Sequence, residues 1–417
     1  MAQPMATERV TSYQWQMLVV LTLINFVNYI DRQIIFPLFA LIKQDFQISD
    51  TQLGLLGTAF AIVHSLATIP LGILADRTSR NKVITFGVLF WSGATFLSGI
   101  AASFRSLLVA RALVGIGEAA YTPAATATLT AVYPQEQRAR VQGVFNLGMF
   151  IGGAMGLALG GILGEWVGWR PAFFVVGVPG LLLALSVFRL PEAPRPALDD
   201  ASNRVPIRAL LCVPAYVALL GSGLLITFAG HAYIAWGSTF AIRYKGFGLG
   251  EAGVSLAVIV GGAGICGVLA GAALADRLVA RFAWGRALTV VLGFSISAPF
   301  TLWALYAPDK RLFLAALFIG TFFMTWYHGP VTAIIHDLIP PSAHATAMGV
   351  YLFTVNLLAT ALAPYTLGAI ADRAGLFAGM HAALTAQVSG ALCFLLVIYF
   401  IRRDGLRHPR LARYKAD

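Results

Sequence analysis

Twelve apolar runs of about 20 residues, each close to the length that crosses a bilayer as a helix, follow one another along this chain. They cover residues 17–40, 52–75, 83–103, 107–130, 141–164, 171–188, 211–242, 252–275, 287–306, 312–335, 346–370 and 381–401. Apolar residues make up 58% of the 417 and charged ones only 11%. A water-soluble domain of this size has no way to hide that much apolar surface. The expected class is therefore an all-α integral membrane protein of twelve transmembrane helices, arranged as two six-helix bundles.

The division comes from the one long polar connection, 189–208, which holds Pro191, Pro194, Pro196, Asp199, Asp200 and Pro206 and reads as a linker. It separates a first bundle over 1–190 from a second, with its tail, over 209–417, the linker itself being 191–208. Basic residues sort by side. Those on the side of the termini, among them Arg77, Arg80, Lys82, Arg189, Arg204, Arg277, Arg402 and Arg410, well outnumber those opposite. The positive-inside rule then places both termini in the cytoplasm, of a cell (inner) membrane protein. The net charge of +11 is mostly this topology signal. It implies attraction to anionic membrane lipid and no nucleic-acid partner. Glu8 and Arg9 precede a first run too long for a signal-peptide core, so that run is expected to stay. Cys212, Cys266 and Cys393 fall in or beside the runs and read as small packing residues, with no metal or cofactor implied.

Four charges interrupt the apolar runs: Asp31 and Arg32 in the first, Arg111 and Glu118 in the fourth. A charge at membrane depth costs roughly 2.5 to 3.5 kcal/mol even on the lenient scale, so it marks function by default. At 1.5 Å per residue, Asp31 sits about 9 Å and Arg111 about 6 Å below the outer edge of a core about 30 Å thick, level enough to pair if their helices adjoin. Glu118, two turns beyond Arg111 on the same face, lies roughly 17 Å deep and is the most desolvated of the four. Desolvation favours the neutral acid and a nearby Arg32 favours the carboxylate. A change in cavity opening then changes proton affinity. Glu118 and Asp31 are the candidates for proton coupling, Arg32 and Arg111 for an anionic substrate or a charge pair. The bland alternative is a static ion-pair network between two helices.

A loop motif follows the second run: Gly72-Ile-Leu-Ala-Asp76-Arg77-Thr-Ser-Arg80-Asn-Lys82. A weaker echo, Gly271 to Asp276-Arg277, follows the eighth. A third copy, Gly368 to Asp372-Arg373, ends the eleventh run on the other side of the membrane and is set aside. With twelve runs in two halves, these loops resemble the major facilitator superfamily of transporters. The resemblance implies that Gly72, Asp76, Arg77, Arg80 and Lys82 form a conformational latch, Asp76 accepting hydrogen bonds from a neighbouring helix N-terminus. Arg111, Gly115 and Gly117 resemble that superfamily's pattern for proton-coupled carriers. Gly148, Gly152, Gly153, Gly156, Gly160 and Gly161 resemble its antiporter motif, with Leu157 where that motif has proline, and close helix packing accounts for most of them.

Asn28-Tyr-Ile-Asp31-Arg32, Gly72 to Arg77, and Arg111 through Glu118 to Tyr121 together resemble the Spinster branch, whose members carry lysolipids. That resemblance makes the four charges the polar core of a transport pathway, in a monomer whose partners are protons and a small amphipathic substrate. Asn28, Tyr121, His231, Trp236, Trp326, Tyr327 and His328 are expected to line its cavity, and His64 to be a hydrogen-bonded core histidine. A carrier of another small molecule, such as a drug, an organic acid or a sugar, is the alternative. No catalytic constellation is legible: His336-Asp337 has neither metal-ligand spacing nor a nucleophile beside it.

Overall fold

The computed structural model describes residues 11–193 and 206–405, and among the described residues every regular element is helical. Twelve long helices run in order: α1 Ser12–Ile34, α2 Asp50–Arg77, α3 Arg80–Gly99, α4 Phe104–Val132, α5 Gln135–Val167, α6 Trp169–Arg189, α7 Pro214–Lys245, α8 Leu249–Val279, α9 Gly285–Tyr306, α10 Lys310–Leu338, α11 Pro341–Ala374 and α12 Leu376–Asp404. Eleven of them are long and apolar enough to cross a membrane by length and composition. The other, α4, is 29 residues long and is the helix that carries Arg111 and Glu118. All twelve expected runs are thus helices. Most of the expected linker, 194–205, and the tail beyond 405 lie outside the described residues.

Capping residues set several starts. Thr11 and Ser49 each accept from the backbone N–H three residues on, while Gln14 and Gln52 reach back, closing capping boxes at α1 and α2. The first run does not continue to residue 40 as expected. Pro37 disfavours helix at the residue before it and offers no N–H, so α1 ends at Ile34 and a short helix, Phe39–Phe46, resumes after a turn. The α7 helix begins at Pro214, a proline at its first position, three residues later than expected. The cysteines also differ from expectation. Cys212 and Cys266 are exposed and Cys393 is half-buried, so none fills a core.

The buried side chains form three main clusters, and their distribution gives the molecule its shape. One, including Ile34, Phe39, Leu56, Phe173, Trp236, Phe240, Phe313 and Leu367, draws on both halves at the end where α2 begins. The other two stay within one half each, around Trp91, Tyr121 and Phe145 in the first and around Tyr216, Phe294 and Phe394 in the second. The halves are joined at the Asp50 end and have separate cores toward the Asp76 end.

Backbone contact holds α1 to α5. Gly148, Gly152, Gly156 and Gly160 recur every fourth residue on one face of α5, and a Cβ on them would meet the carbonyl oxygens of Thr22, Phe26, Ile30 and Ile34 at 2.7, 2.3, 2.7 and 2.5 Å. Only glycine lets two helices touch this closely, and without a hydrophobic drive between helices in lipid such contact is what holds them. Replacing Gly156 with Leu is therefore expected to cost about 1–3 kcal/mol or to prevent folding. Gly143→Leu, where a Cβ meets nothing within 4 Å, is expected to cost little. Thermal unfolding in detergent, compared between the two variants, checks this.

Candidate functional site

Asp31 and Arg32 are neighbours on α1, and the helical turn between them sends their side chains to different partners on α4. Arg111 Nη1 donates to Asp31 Oδ1 at 3.1 Å, and its Nη2 reaches the Asp31 carbonyl at 3.4 Å. The Thr95 hydroxyl of α3 donates to the second carboxylate oxygen. Arg32 Nε donates to Glu118 Oε2 at 2.5 Å, and its Nη2 lies 2.9 Å from His64 Nε2 on α2. Phe60 lies between the two guanidinium groups, 5.4 Å from that of Arg32 and 5.5 Å from that of Arg111, with Tyr29 against Arg32 at 4.8 Å. The pairing of Asp31 with Arg111 agrees with the depths counted along the sequence, whereas Arg32, by that count roughly 9 Å shallower than Glu118, reaches it through its long side chain.

Burial separates the four. The side chains of Glu118, Arg111 and Asp31 are 0%, 1% and 2% exposed, while that of Arg32 is 17% exposed. Arg32 alone of the four presents open surface. Glu118 Oε1, Arg111 Nε and both amide atoms of Asn28 are buried without a hydrogen-bond partner. Thr95, Phe60 and Tyr29 join the site without a motif to single them out. Thr95 is within reach of a depth count, since it lies four residues, about 6 Å, from the end of α3. His64 is hydrogen-bonded as expected, and its partner is Arg32.

The aromatic and amide candidates divide. Asn28, Tyr121 and Trp236 are enclosed, which corrects their expected place on an open wall. The Tyr121 hydroxyl donates to the Leu21 carbonyl, and its ring packs on Trp91 and Phe145. Trp236 Nε1 donates to the Pro364 carbonyl at 3.0 Å, with Phe39 from the other half against its ring. His231, Trp326 and Tyr327 are half-buried and His328 is exposed. His231 Nδ1 lies 3.2 Å from the Thr227 carbonyl and within electrostatic reach of Arg32. Trp326, Tyr327 and His328 sit where α10 tightens to a 3₁₀ turn over Thr325–Tyr327, and α11 has a π turn over Asn356–Thr360. Such irregular turns are frequent at functional positions of helices. Near the Asp76 end, Asp337 is taken by Arg286, and His336 stacks on His344 with ring centres 4.4 Å apart.

The third copy of the loop motif makes the contact expected of the latch. Asp372 accepts from the backbone N–H groups of Asp50 and Thr51 at 2.9 and 2.8 Å and from the Thr51 hydroxyl at 2.5 Å. A carboxylate thus caps the N-terminus of a helix in the other half, where unpaired N–H groups and the helix dipole favour negative charge. At the second seam Glu165 of α5 accepts from the Gly250 N–H of α8 at 2.8 Å. Glycines let both pairs close: a Cβ on Gly368 would meet Asp50 O at 2.3 Å, and one on Gly161 would meet Leu249 O at 2.7 Å. Gly54 and Gly253 likewise abut Pro364 O and Leu157 O, at 2.2 and 2.5 Å. A step of 207 residues relates Leu157 to Pro364, Gly161 to Gly368 and Glu165 to Asp372. The first clasp is reinforced, since Asp50 also binds Arg243 through both oxygens at 2.6 and 2.8 Å, and Lys43 at 2.6 Å. At the opposite end the contact expected of the latch is not made among the described residues. The Asp76 side chain is 61% exposed, 3.7 Å from Arg80 of the next turn. Arg77 and Lys82 are exposed, a Cβ on Gly72 would meet Pro123 of its own half at 3.6 Å, and Arg80 donates to the Ala127 carbonyl.

Two outcomes follow. Asp31→Leu leaves Arg111 buried without its counter-charge and is expected to cost about 3–5 kcal/mol, whereas Asp31→Leu with Arg111→Leu is expected to cost less than that single change. Unfolding in detergent decides, and a double variant weaker by the sum of the singles would rule out the pair as the source. Gly368→Leu blocks closure of the first clasp, so spin labels at Gln47 and Glu251, on opposite halves of the Asp50 end, are expected to move several ångströms apart. An unchanged distance would show that the clasp does not hold that end shut.

Residues 21–364 match the family model described as Major Facilitator Superfamily. The chain is 30% identical over 410 residues to an MFS-type efflux pump of Mycolicibacterium smegmatis, covering 95% of each chain. It is 29% identical over 389 residues to Protein spinster homolog 1 of Xenopus tropicalis, covering 87% of this chain and 74% of that one. A crystal structure of a bacterial homologue of the human lysosomal transporter Spinster, in an inward-facing and occupied conformation, superposes with a TM-score of 0.85 at 26% identity, covering 94% of this chain and 98% of the other. With twelve helices in two joined halves, a buried charge network within the first of them and these relatives, the chain belongs to the Major Facilitator Superfamily and is a Spinster-like membrane transporter.

Proposed function

We propose that the protein is a proton-coupled carrier that moves an amphipathic anion of the lysolipid class by alternating access, as a monomer in the cell inner membrane with both termini cytoplasmic. One observation carries the reading: Arg32, the member of the charged centre with open surface, is held 2.5 Å from a fully enclosed Glu118. An anionic headgroup drawn to Arg32 competes with Glu118 for the same cation. Glu118 has no water to replace what it loses, so it takes up a proton, as a carboxylate deprived of its counter-charge in a low-dielectric site does. Asp31, held by Arg111 and Thr95, keeps α1 and α4 in register while this happens and is the second candidate proton carrier.

The wall proposed to face these charges has a different character. His231 on α7 and Trp326, Tyr327 and His328 on α10 give apolar faces with a few polar atoms, and a charged wall facing an aromatic one suits a molecule with a headgroup and a chain. The latch residues Gly72, Asp76, Arg77, Arg80 and Lys82 would act in the alternate state, Asp76 clasping a helix of the other half once the Asp50 end opens, as Asp372 does now. A second reading, export of a drug or another small organic molecule, is favoured by the likeness to a mycobacterial efflux pump.

Proteoliposomes with an imposed pH gradient and a fluorescent lysophospholipid test the first reading. Glu118→Gln is expected to abolish the response of uptake to the gradient while exchange without a gradient persists. Unchanged gradient-driven uptake would end the proposal. Thermal stabilisation of the purified protein across lysolipids, drugs and sugars separates the two readings, a ligand at a hundred times its dissociation constant adding about 2.7 kcal/mol.

A further inference from the structure

A guanidinium presents Nε and Nη2 along one edge, and that edge commonly takes both oxygens of one carboxylate. In Arg32 it takes one oxygen of Glu118 at 2.5 Å and one nitrogen of His64 at 2.9 Å. A guanidinium only donates, so Nε2 of His64 is an acceptor and the ring is neutral, its proton on Nδ1. Two acceptors from different helices therefore lie side by side, lone pair beside lone pair, with Arg32 between them and direct contact. The other Glu118 oxygen is buried without a partner. The imidazole is held in place by stacking on Phe60, ring centres 5.7 Å apart and planes 28° apart.

The charged and titratable groups around His64 are few. From α1 come Arg32 and, beside it, Asp31 and Tyr29. From α4 come Glu118 and Arg111, and from α7 comes His231. The π turn of α11 that packs on α2 contains no ionisable residue. Arg111 and Asp31 satisfy one another, which leaves Arg32, Glu118 and His64 as a separate set with no net charge.

We propose that His64 and Glu118 form a two-residue proton acceptor for which Arg32 is the removable plug. When Arg32 turns to an anion, one proton enters between His64 Nε2 and Glu118 Oε2 and is shared in a hydrogen bond across the gap the guanidinium vacated. The balance closes. The set begins with one cation and one anion, gains one anionic headgroup and one proton, and ends without net charge, as a low-dielectric site demands. One proton thus enters per headgroup charge. This rests on the proton-coupled reading above and adds to it a second residue and a stoichiometry.

The test is the protonation of His64 in the purified full chain, followed by NMR of [¹³Cε1]histidine and assigned with His64→Gln. In the unsubstituted protein the His64 signal is expected to stay that of a neutral ring between about pH 8 and about pH 5. In Arg32→Gln, and independently in Arg32→Met, it is expected to titrate within that window. Adding Glu118→Gln to either is expected to lower the midpoint by at least about one unit, about a tenfold loss of proton affinity. Decyl phosphate, a soluble anionic amphiphile, is the probe for the plug itself, and its addition to the unsubstituted protein is expected to bring the His64 titration into the window. A His64 that stays neutral in both Arg32 variants, or whose midpoint ignores Glu118, overturns the dyad and leaves Glu118 coupling standing. Gradient-driven uptake unchanged in Glu118→Gln would instead overturn the coupling reading, whatever His64 does.

Discussion

A charge inside a bilayer needs its counter-charge within bonding distance, and the centre of this transporter is built to that requirement. Asp31 is the point on which three helices meet: it lies on α1, accepts from Thr95 on α3 and is paired with Arg111 on α4. Because both partners are almost wholly enclosed, breaking the pair by removing one of them costs several kcal/mol. Arg32, one residue further along α1, inherits a defined position but keeps an open side.

The rest of the molecule is assembled by letting peptide backbones touch. Along α5, one face of glycines lies on α1 and the next glycine, Gly161, lies on α8 of the other half. A single helix thereby carries both a contact that completes one half and a contact between halves. The difference lies in what accompanies the glycines. Within the half there are four in a row on one face. Between halves each seam adds a carboxylate on a helix N-terminus, whose hydrogen bonds water replaces readily once the seam parts.

How much of this is legible in the sequence follows from which forces are local. Twelve apolar runs read directly as twelve helices, because hydropathy depends on each segment alone; α1 falls short of its run only where Pro37 breaks it. Depth along a helix is also local, which is why counting residues is enough to match Asp31 with Arg111. Azimuth is not. Tyr121 and Trp236 carry the same chemistry as Tyr327 and Trp326, yet the first two face inward on their neighbours and the others keep open surface. Nothing in an aromatic residue tells which side of its helix meets a cavity. Asp372 is set aside in the sequence for a related reason. Its motif reads as out of place on the side of the membrane where it lies, while its action depends on the helix end opposite it, which only the packing of α2 against α11 reveals.

The 207-residue step that relates one seam to the other gives the closed end the anatomy of a dimer interface with a twofold axis, in which one patch meets its own counterpart, here with both copies carried on one polypeptide. In a true dimer the two copies of a contact are bound to be identical. Fusion releases them from that identity. One copy here has gathered Arg243 and Lys43 around Asp50, while the other rests on Glu165 and bare backbone. A fused pair can in this way hold unequal grips on its two edges, which two identical subunits related by a twofold axis cannot.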